Sequence, residues 1–327
     1  MFILCKDPRK NLFLAPLQNI TTAPYRKFLR TFYDIHLVSV PMLYMKQIEA
    51  NPKTVLEDLH DIESERPISI QLIGNDVDAL RTSIDYLESY KYDVLDINAG
   101  CPSRRALKSH CGGYLIRDLE LLKKLLEAAI KKASRPISLK TRIGFKNSEN
   151  IREFASLVND IGISFIIIHA RTVLDKYDVR FLNLNAIKEF KNNLSIPLIG
   201  NGDIIDPISA KHFLEQTNVD GLMIGRATMG NPEIFSQIHD FLVNDKYKPF
   251  FNDKIKMKRY LEKYEVILDN YLNDINLTYH NNDFKLTELK RNAIWLTRDI
   301  ENATHIRSKL SRTKNLDELK LILKEYF

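Results

Sequence analysis

The chain has 327 residues, of which 44% are hydrophobic and 28% charged, a composition that excludes a disordered or fibrous protein and suffices for one large core and a smaller second one. Its apolar runs are a handful of residues long, against the about 20 that span a bilayer. Charges at Lys6, Asp7, Arg9 and Lys10 exclude the apolar stretch of a signal peptide, and three cysteines are too few for a secreted disulfide framework. The chain therefore reads as cytoplasmic, with no membrane segment. The net charge of +6 is uneven: residues 246–327 hold 17 Lys and Arg against 12 Asp and Glu, a net of +5 that leaves +1 on the rest. This fits a body that does chemistry beside an appendage that meets a polyanion, or a solvated helical surface with a lysine excess.

From residue 12 to about residue 235 one unit repeats, a short apolar or β-branched run followed by a segment with helical spacing. The runs fall at 12–15, 37–41, 68–73, 94–97, 137–140, 165–169, 197–200 and 221–224, with helical segments at 77–89, 119–132, 151–161 and 186–193 between them. Eight such units predict an α/β fold, a (β/α)8 barrel. An open doubly wound sheet would carry a glycine-rich turn after its first strand, and here that turn reads Ala15-Pro16-Leu17-Gln18-Asn19. Beyond Pro232 the strands stop, and apolar residues at three- and four-residue spacing, such as Tyr260, Tyr264 and Ile267, predict helices at 254–272, 285–302 and 316–326. The expected division is a barrel domain over residues 1–240 and a helical domain over 241–327.

The residues able to do chemistry stand at the ends of the predicted strands, which a barrel gathers on one rim. Asn98-Ala99-Gly100-Cys101-Pro102 puts a thiol on a tight loop beside an amide, where both can address one flat ligand. A lone cysteine is more often inert packing, and Cys111, followed by two glycines, reads as structural. Cys101, Cys111 and His110 lack a fourth ligand at usable spacing, so no metal site is expected. Lys140 and Arg142 share one face of their strand, as do His169 and Arg171. Such pairs serve an anion or an electron-rich ring, or surface salt bridges. Asn201-Gly202-Asp203 and Gly225-Arg226 follow the last two strands, the recurrent phosphate position of this barrel.

Together these motifs resemble the tRNA-dihydrouridine synthase family. The matches are Ala15-Pro16-Leu17, Gln71-Leu72, Asn98-x-Gly100-Cys101-Pro102, Lys140-x-Arg142-x-Gly144, His169-x-Arg171-Thr172, Asn201-Gly202-Asp203, and Met223-Ile224-Gly225-Arg226 with Gly230-Asn231-Pro232. The resemblance implies reduction of uridines in the tRNA D-loop, with FMN as resident cofactor, NADPH or NADH as transient reductant, and tRNA as partner. It places Pro16, Leu17, Gln18, Gln71, Lys140, His169, Asn201, Gly202, Asp203, Gly225 and Arg226 on FMN. Asn98, Arg142 and Arg171 would face substrate or phosphate, and Cys101 would be the proton donor. The chain departs from the family pattern at Leu17, at Thr21-Thr22, at Glu233, and at Asp178-Val179-Arg180-Phe181, where a glycine and then a tryptophan are usual. These departures remove no group the chemistry needs and bear on which uridine is chosen. Two rivals share the barrel: a flavin oxidoreductase acting on a free pyrimidine, which needs no basic appendage, and a non-catalytic RNA-binding barrel. A flavin-free phosphate-binding isomerase would want an acidic base at a strand end, and none stands out.

Overall fold

The computed structural model describes residues 2–247, 254–275, 281–298 and 300–327. Its strands are β1 (Leu12–Leu14), β2 (Val38–Ser39), β3 (Leu43–Tyr44), β4 (Ile68–Ile73), β5 (Val94–Ala99), β6 (Ile137–Arg142), β7 (Phe165–His169), β8 (Leu198–Asn201) and β9 (Gly221–Ile224). All pair in parallel in the order β1-β9-β8-β7-β6-β5-β4-β2, with β3 also on β4. Leu14 N–H donates to Leu37 C=O and His36 N–H to Leu12 C=O, both at 2.9 Å, which brings β1 to β2 and rounds the sheet into a barrel. The eight expected runs are all strands. The second is interrupted: Pro41 lacks an N–H for the ladder, so the pairing with β4 stops after Val40 and resumes at Leu43.

Strand alternation sorts the side chains. Outward positions such as Ile68, Ile70, Leu72, Leu95, Ile97, Leu139, Ile166 and Ile168 belong to the large core shared with the surrounding helices. Inward positions near the strand starts form a second cluster, in which Phe13, Leu37, Val94, Phe165, Ile167, Ile199 and Met223 fill the barrel floor. Phe13 and Phe165 meet edge to face at 5.8 Å, and Phe2 closes over them from below. Higher up, the inward positions turn polar.

Helices form at Val77–Leu87, Leu119–Lys132, Ile151–Ile161 and Leu184–Asn193, within two residues of expectation. The second shows why: Leu122, Leu125, Leu126 and Ala129 make one buried stripe, the Asp118 side chain accepts from Leu121 N–H at the start, and Lys131 and Lys132 end it.

The C-terminal region is helical, as expected: Lys254–Ile275, Asn281–Leu296, Ala303–Arg312 and Leu316–Tyr326. The predicted helix 285–302 is Asn281–Leu296, ended early by tight turns at Thr297 and Arg298, and the next helix, Ala303–Arg312, which the spacing does not predict, is preceded by Asn302 in the left-handed region at φ +57°; residue 299, inside the predicted span, lies outside the described residues. This region is packed onto the first barrel helix, Ala23–Phe32. Phe28 meets Tyr260 at 4.8 Å and Tyr264 at 5.5 Å, and Tyr25 meets Trp295 at 5.6 Å. Buried Glu288 accepts from Tyr264 Oη at 2.5 Å and from Thr22 Oγ1 at 3.4 Å and pairs with Arg291. Gly230 lets the two parts close up, since a Cβ there would lie 2.3 Å from Trp295 C=O. Among the described residues no helix is long and apolar enough to cross a membrane.

Candidate active site at the carboxyl rim of the barrel

The strand ends enclose a cavity of about 1220 Å³. Pro16, Leu17, Gln18, Gln71, Asn98, Cys101, Lys140, Arg142, His169, Asn201, Gly202, Asp203, Gly225 and Arg226 all line it. Gln71, Asn98, Lys140, Arg142, His169 and Asn201 stand at inward strand positions above the apolar floor, so the alternation that packs the floor also brings these groups together, and the others lie on the loops that follow the strands.

A directed chain of hydrogen bonds runs from the barrel interior to the cysteine loop. Gln71 Nε2 and Ser138 Oγ donate to the two oxygens of Asp96, each at 2.6 Å. With its amide nitrogen so committed, Gln71 presents Oε1 to Asn98 Nδ2 at 2.8 Å. Asn98 in turn presents Oδ1, which accepts from Gly100 N–H at 3.0 Å and Cys101 N–H at 2.9 Å. Burial pushes the Asp96 carboxyl up to about 6, against the hydrogen bonds that favour its charge. Asn98 is thus the residue that folds the cysteine loop as well as one that faces the cavity.

The Cys101 thiol is half-buried and donates to Ser103 Oγ at 3.3 Å. From behind, Gly113 N–H donates to Cys101 C=O at 3.0 Å, and a Cβ on Gly112 would come within 2.9 Å of Cys101 Cβ. Gly112 also holds φ +61°, so both its conformation and its closeness call for glycine. Cys111 lies outside the cavity lining, its thiol pushed up to about 11 by burial and donating to Ala106 C=O at 3.5 Å.

Across β6 to β8 the cavity is cationic. Lys140 Nζ donates to Asn201 Oδ1 at 3.3 Å, and Asn201 Nδ2 to Met223 C=O at 2.7 Å. Burial, with Arg142 next to it, pulls the Lys140 ammonium down to about 8. Burial and the surrounding Arg142, Lys140, Arg171 and Arg226 hold His169 well below the usual range, so its imidazole is neutral at pH 7. The His169 Nδ1 is buried without a hydrogen-bond partner. Arg142 spends its donors on the carbonyls of Gly100, Thr172 and Lys176, at 2.7 to 2.9 Å.

Arg171 is the expected site residue that does not line the cavity. β7 ends at His169, so the alternation that would put both on one face stops there. Arg171 is fully buried, donates through Nε to Asp178 C=O, and pairs with Asp203. Asp203, at φ +46°, pairs through its other oxygen with Arg226 at 2.9 Å. Several further lining residues carry no signal in the sequence. Met42 comes from the interruption in the second strand, and Ile294, Trp295, Arg298 and Arg307 come from the docked helical region. Trp295 is the chain's one tryptophan, the single hint available.

An unpartnered nitrogen and a half-buried amine beside amide groups suit a flat heteroaromatic ring, and Arg226 with the Gly225 and Gly202 backbone suits an anion. The residues therefore fit FMN, which joins the two. Among the described residues no His, Cys, Asp and Glu side chains are grouped to hold a metal ion.

Comparison with known proteins points the same way. A family model described as dihydrouridine synthase matches residues 13–326. The tRNA-dihydrouridine synthase B of Pseudomonas aeruginosa is 28% identical over 319 residues, 97% of this chain and 92% of that one. The enzyme of the same description from Pasteurella multocida is 32% identical over 252 residues, 75% of this chain and 74% of that one. Among solved structures, morphinone reductase superposes with a TM-score of 0.51 at 11% identity, over 74% of this chain and 87% of that one. A morphinone reductase variant in complex with tetrahydroNAD gives 0.53 at 10% identity, over 70% and 86%. These two likenesses concern the fold.

Proposed function

Because the chain belongs to the dihydrouridine synthase family and is an oxidoreductase, we propose that it reduces the C5=C6 bond of specific uridines in the tRNA D-loop, in the cytoplasm, with FMN held in the rim cavity. The observation that carries this reading is the occurrence, in one cavity, of the Cys101 thiol, the Asn98 amide, the Lys140 amine, an unpartnered His169 and the Arg226 corner.

Bound and reduced, FMN supplies a hydride to C6 of the uracil, with NADPH or NADH as its transient reductant. Lys140, His169, Gln71, Asn201 and the backbone of Pro16, Leu17 and Gln18 hold the ring, while Gly202, Asp203, Gly225 and Arg226 surround the phosphate. Asn98 offers the uracil edge the Nδ2 hydrogen that it does not give to Gln71, because its Oδ1 is already committed to the cysteine loop. That edge is reached only by a base outside the helical stack, so the target nucleotide enters extruded. Cys101 gives its thiol proton to C5, where charge develops as the hydride arrives, and the resulting thiolate recovers a proton from solvent. Asp96 fixes the amide orientations through which the thiol is aimed. Residues 1–240 act as the catalytic domain and 241–327 as the tRNA-recognition domain, whose +5 excess over 246–327 suits phosphate contacts.

The test is mass spectrometry of digested tRNA from a strain lacking the protein. One or more D-loop positions should return to uridine, and purified flavin-loaded protein with NADPH should restore them. Unchanged dihydrouridine at every position refutes the reading, and conversion of free uracil or UMP at a rate equal to that of tRNA favours the free-pyrimidine oxidoreductase.

A further inference from the structure

The loop between Arg171 and Leu182 carries a surface that this chemistry does not use. Leu174, Tyr177, Val179 and Phe181 are 50, 49, 71 and 49% exposed, and Ile205 and Ile208, after β8, are 54 and 56% exposed. The two loops are joined underneath. Arg171 pairs with Asp203, Asn183 N–H donates to Ala170 C=O at 2.8 Å, and Leu182 packs against Gly202. Large apolar side chains thus face water on one side of the cavity mouth, and Tyr177, Val179 and Ile205 also line the cavity. An apolar surface of this kind marks a contact.

The loop is held in place. Arg142 donates to Lys176 C=O at 2.7 Å, Arg171 to Asp178 C=O at 2.5 Å, and the Val173 and Leu174 N–H groups to Gly144 and Phe145 C=O at 2.9 and 3.1 Å. Two buried arginines thereby present the apolar side chains outward in a fixed pose, which lowers the ordering cost of whatever lands on them.

The charges around the surface identify the occupant. Arg180 lies 5.6 Å from the Phe181 ring centre and Arg226 5.2 Å from that of Tyr177, and Lys176 immediately precedes Tyr177 in the chain. Aromatic rings interleaved with cations match a strand that offers flat bases and phosphates in alternation, and match poorly an apolar protein face. Moreover, Asp178 to Phe181 is where the sequence departs from the family's glycine and tryptophan.

We infer that Tyr177, Val179, Phe181, Ile205 and Ile208 form a stacking platform for the unpaired bases flanking the target uridine, a contact additional to the cavity that takes the target itself. The inference rests on the reading of tRNA as substrate, and it makes residues 174–181 a determinant of which RNA loop is accepted.

The test compares the flavin-loaded full chain with its Phe181→Ser/Ile208→Ser form, both changes lying on exposed side chains outside the cavity lining. Affinity for an unmodified tRNA transcript is measured over a range of salt, alongside flavin content, NADPH-driven flavin reduction, uridine conversion and sedimentation. The expected result is about a tenfold loss of tRNA affinity, as for one lost base stack, with the salt slope and the flavin measurements unchanged because no cation is removed. Lys176→Gln/Arg180→Gln should instead flatten the salt slope by about two. Equal tRNA affinity at every salt concentration overturns the platform. A changed KM for nicotinamide overturns it in favour of a nicotinamide dock, and a changed sedimenting mass in favour of a contact between copies. A parent that binds tRNA but converts no uridine removes the reduction reading while the affinity comparison still decides the platform; a parent that binds no tRNA overturns both.

Discussion

The lower and upper halves of the barrel interior are made by the same strands under the same alternation, yet they hold opposite chemistry. On β5 the inward positions climb from Val94 to Asp96 to Asn98, on β7 from Phe165 and Ile167 to His169, and on β8 from Ile199 to Asn201. Below, rings and branched chains exclude water. Above, ionisable groups sit where burial opposes their charge, with Asp96 pushed up to about 6 and Lys140 down to about 8. One pleat therefore supplies both a stabilising floor and a rim held in an unfavourable electrostatic state, and substitutions in the two halves should act in different currencies.

The largest expected effect lies in the upper half. Cys101→Ser should lower uridine conversion by roughly 10² to 10⁴ while NADPH-driven flavin reduction persists, as followed by flavin absorbance and tRNA mass spectrometry. Cys111→Ser, outside the cavity, should keep its conversion rate per folded molecule. Full conversion by Cys101→Ser would move the donor role to Lys140 or His169.

In the floor, Phe165→Ala should cost about 3–5 kcal/mol of stability, measured by denaturant unfolding, with FMN affinity of the folded protein unchanged. A comparable loss of FMN affinity would show that the halves are not separable.

Asp96→Asn should act with the opposite sign on stability. Asp96 titrates at about 6 instead of 3.8, so the folded state favours its protonated form. Its ionisation costs nothing below pH 3.8, progressively more between 3.8 and 6, and on the order of 3 kcal/mol above 6. The variant should therefore melt higher than the parent at pH 8 and lose that advantage near pH 4, while uridine conversion falls because Gln71 and Asn98 are no longer oriented. Equal melting temperatures at both pH values would mean that Asp96 is not held against its burial.

Smaller effects are expected for the cofactor. Arg226→Ala should weaken FMN binding by about tenfold, at the low end for a charge-assisted contact because the side chain is half exposed, as titrated by flavin fluorescence. FMN affinity should also decline as pH rises through about 8, where Lys140 loses its proton, and this limb should vanish in Lys140→Met.

Much of this arrangement was legible because it depends on short-range patterning. The short apolar or β-branched runs marked every strand of the barrel except β3, and polar residues at their carboxyl ends marked the rim. What escaped depends on contacts between distant segments. Pro41 split a strand without an alternation to betray it, and helix Ala303–Arg312 buries only Ile306 and Leu310, too little for a periodic signal. Arg171 shows the limit of counting by twos: strand geometry ends at His169, and two residues later the side chain turns inward to Asp203. Trp295 and Arg307 reach the cavity only because Tyr25 and Phe28 seat the helical region against the barrel, a matter of docking that spacing does not encode.

Asp203 stands between two arginines of unlike setting, the sealed Arg171 behind it and the half-exposed Arg226 in front. Its single negative charge is shared by both, which leaves the corner one positive charge in excess, carried on the exposed side by Arg226. Were a phosphate to draw Arg226 away, as the proposed function requires, Asp203 would keep Arg171 as counter-ion, and the Arg171 Nη1 has no hydrogen-bond partner. The outer arginine is thus the one able to turn to an anion, because the inner one stays with Asp203.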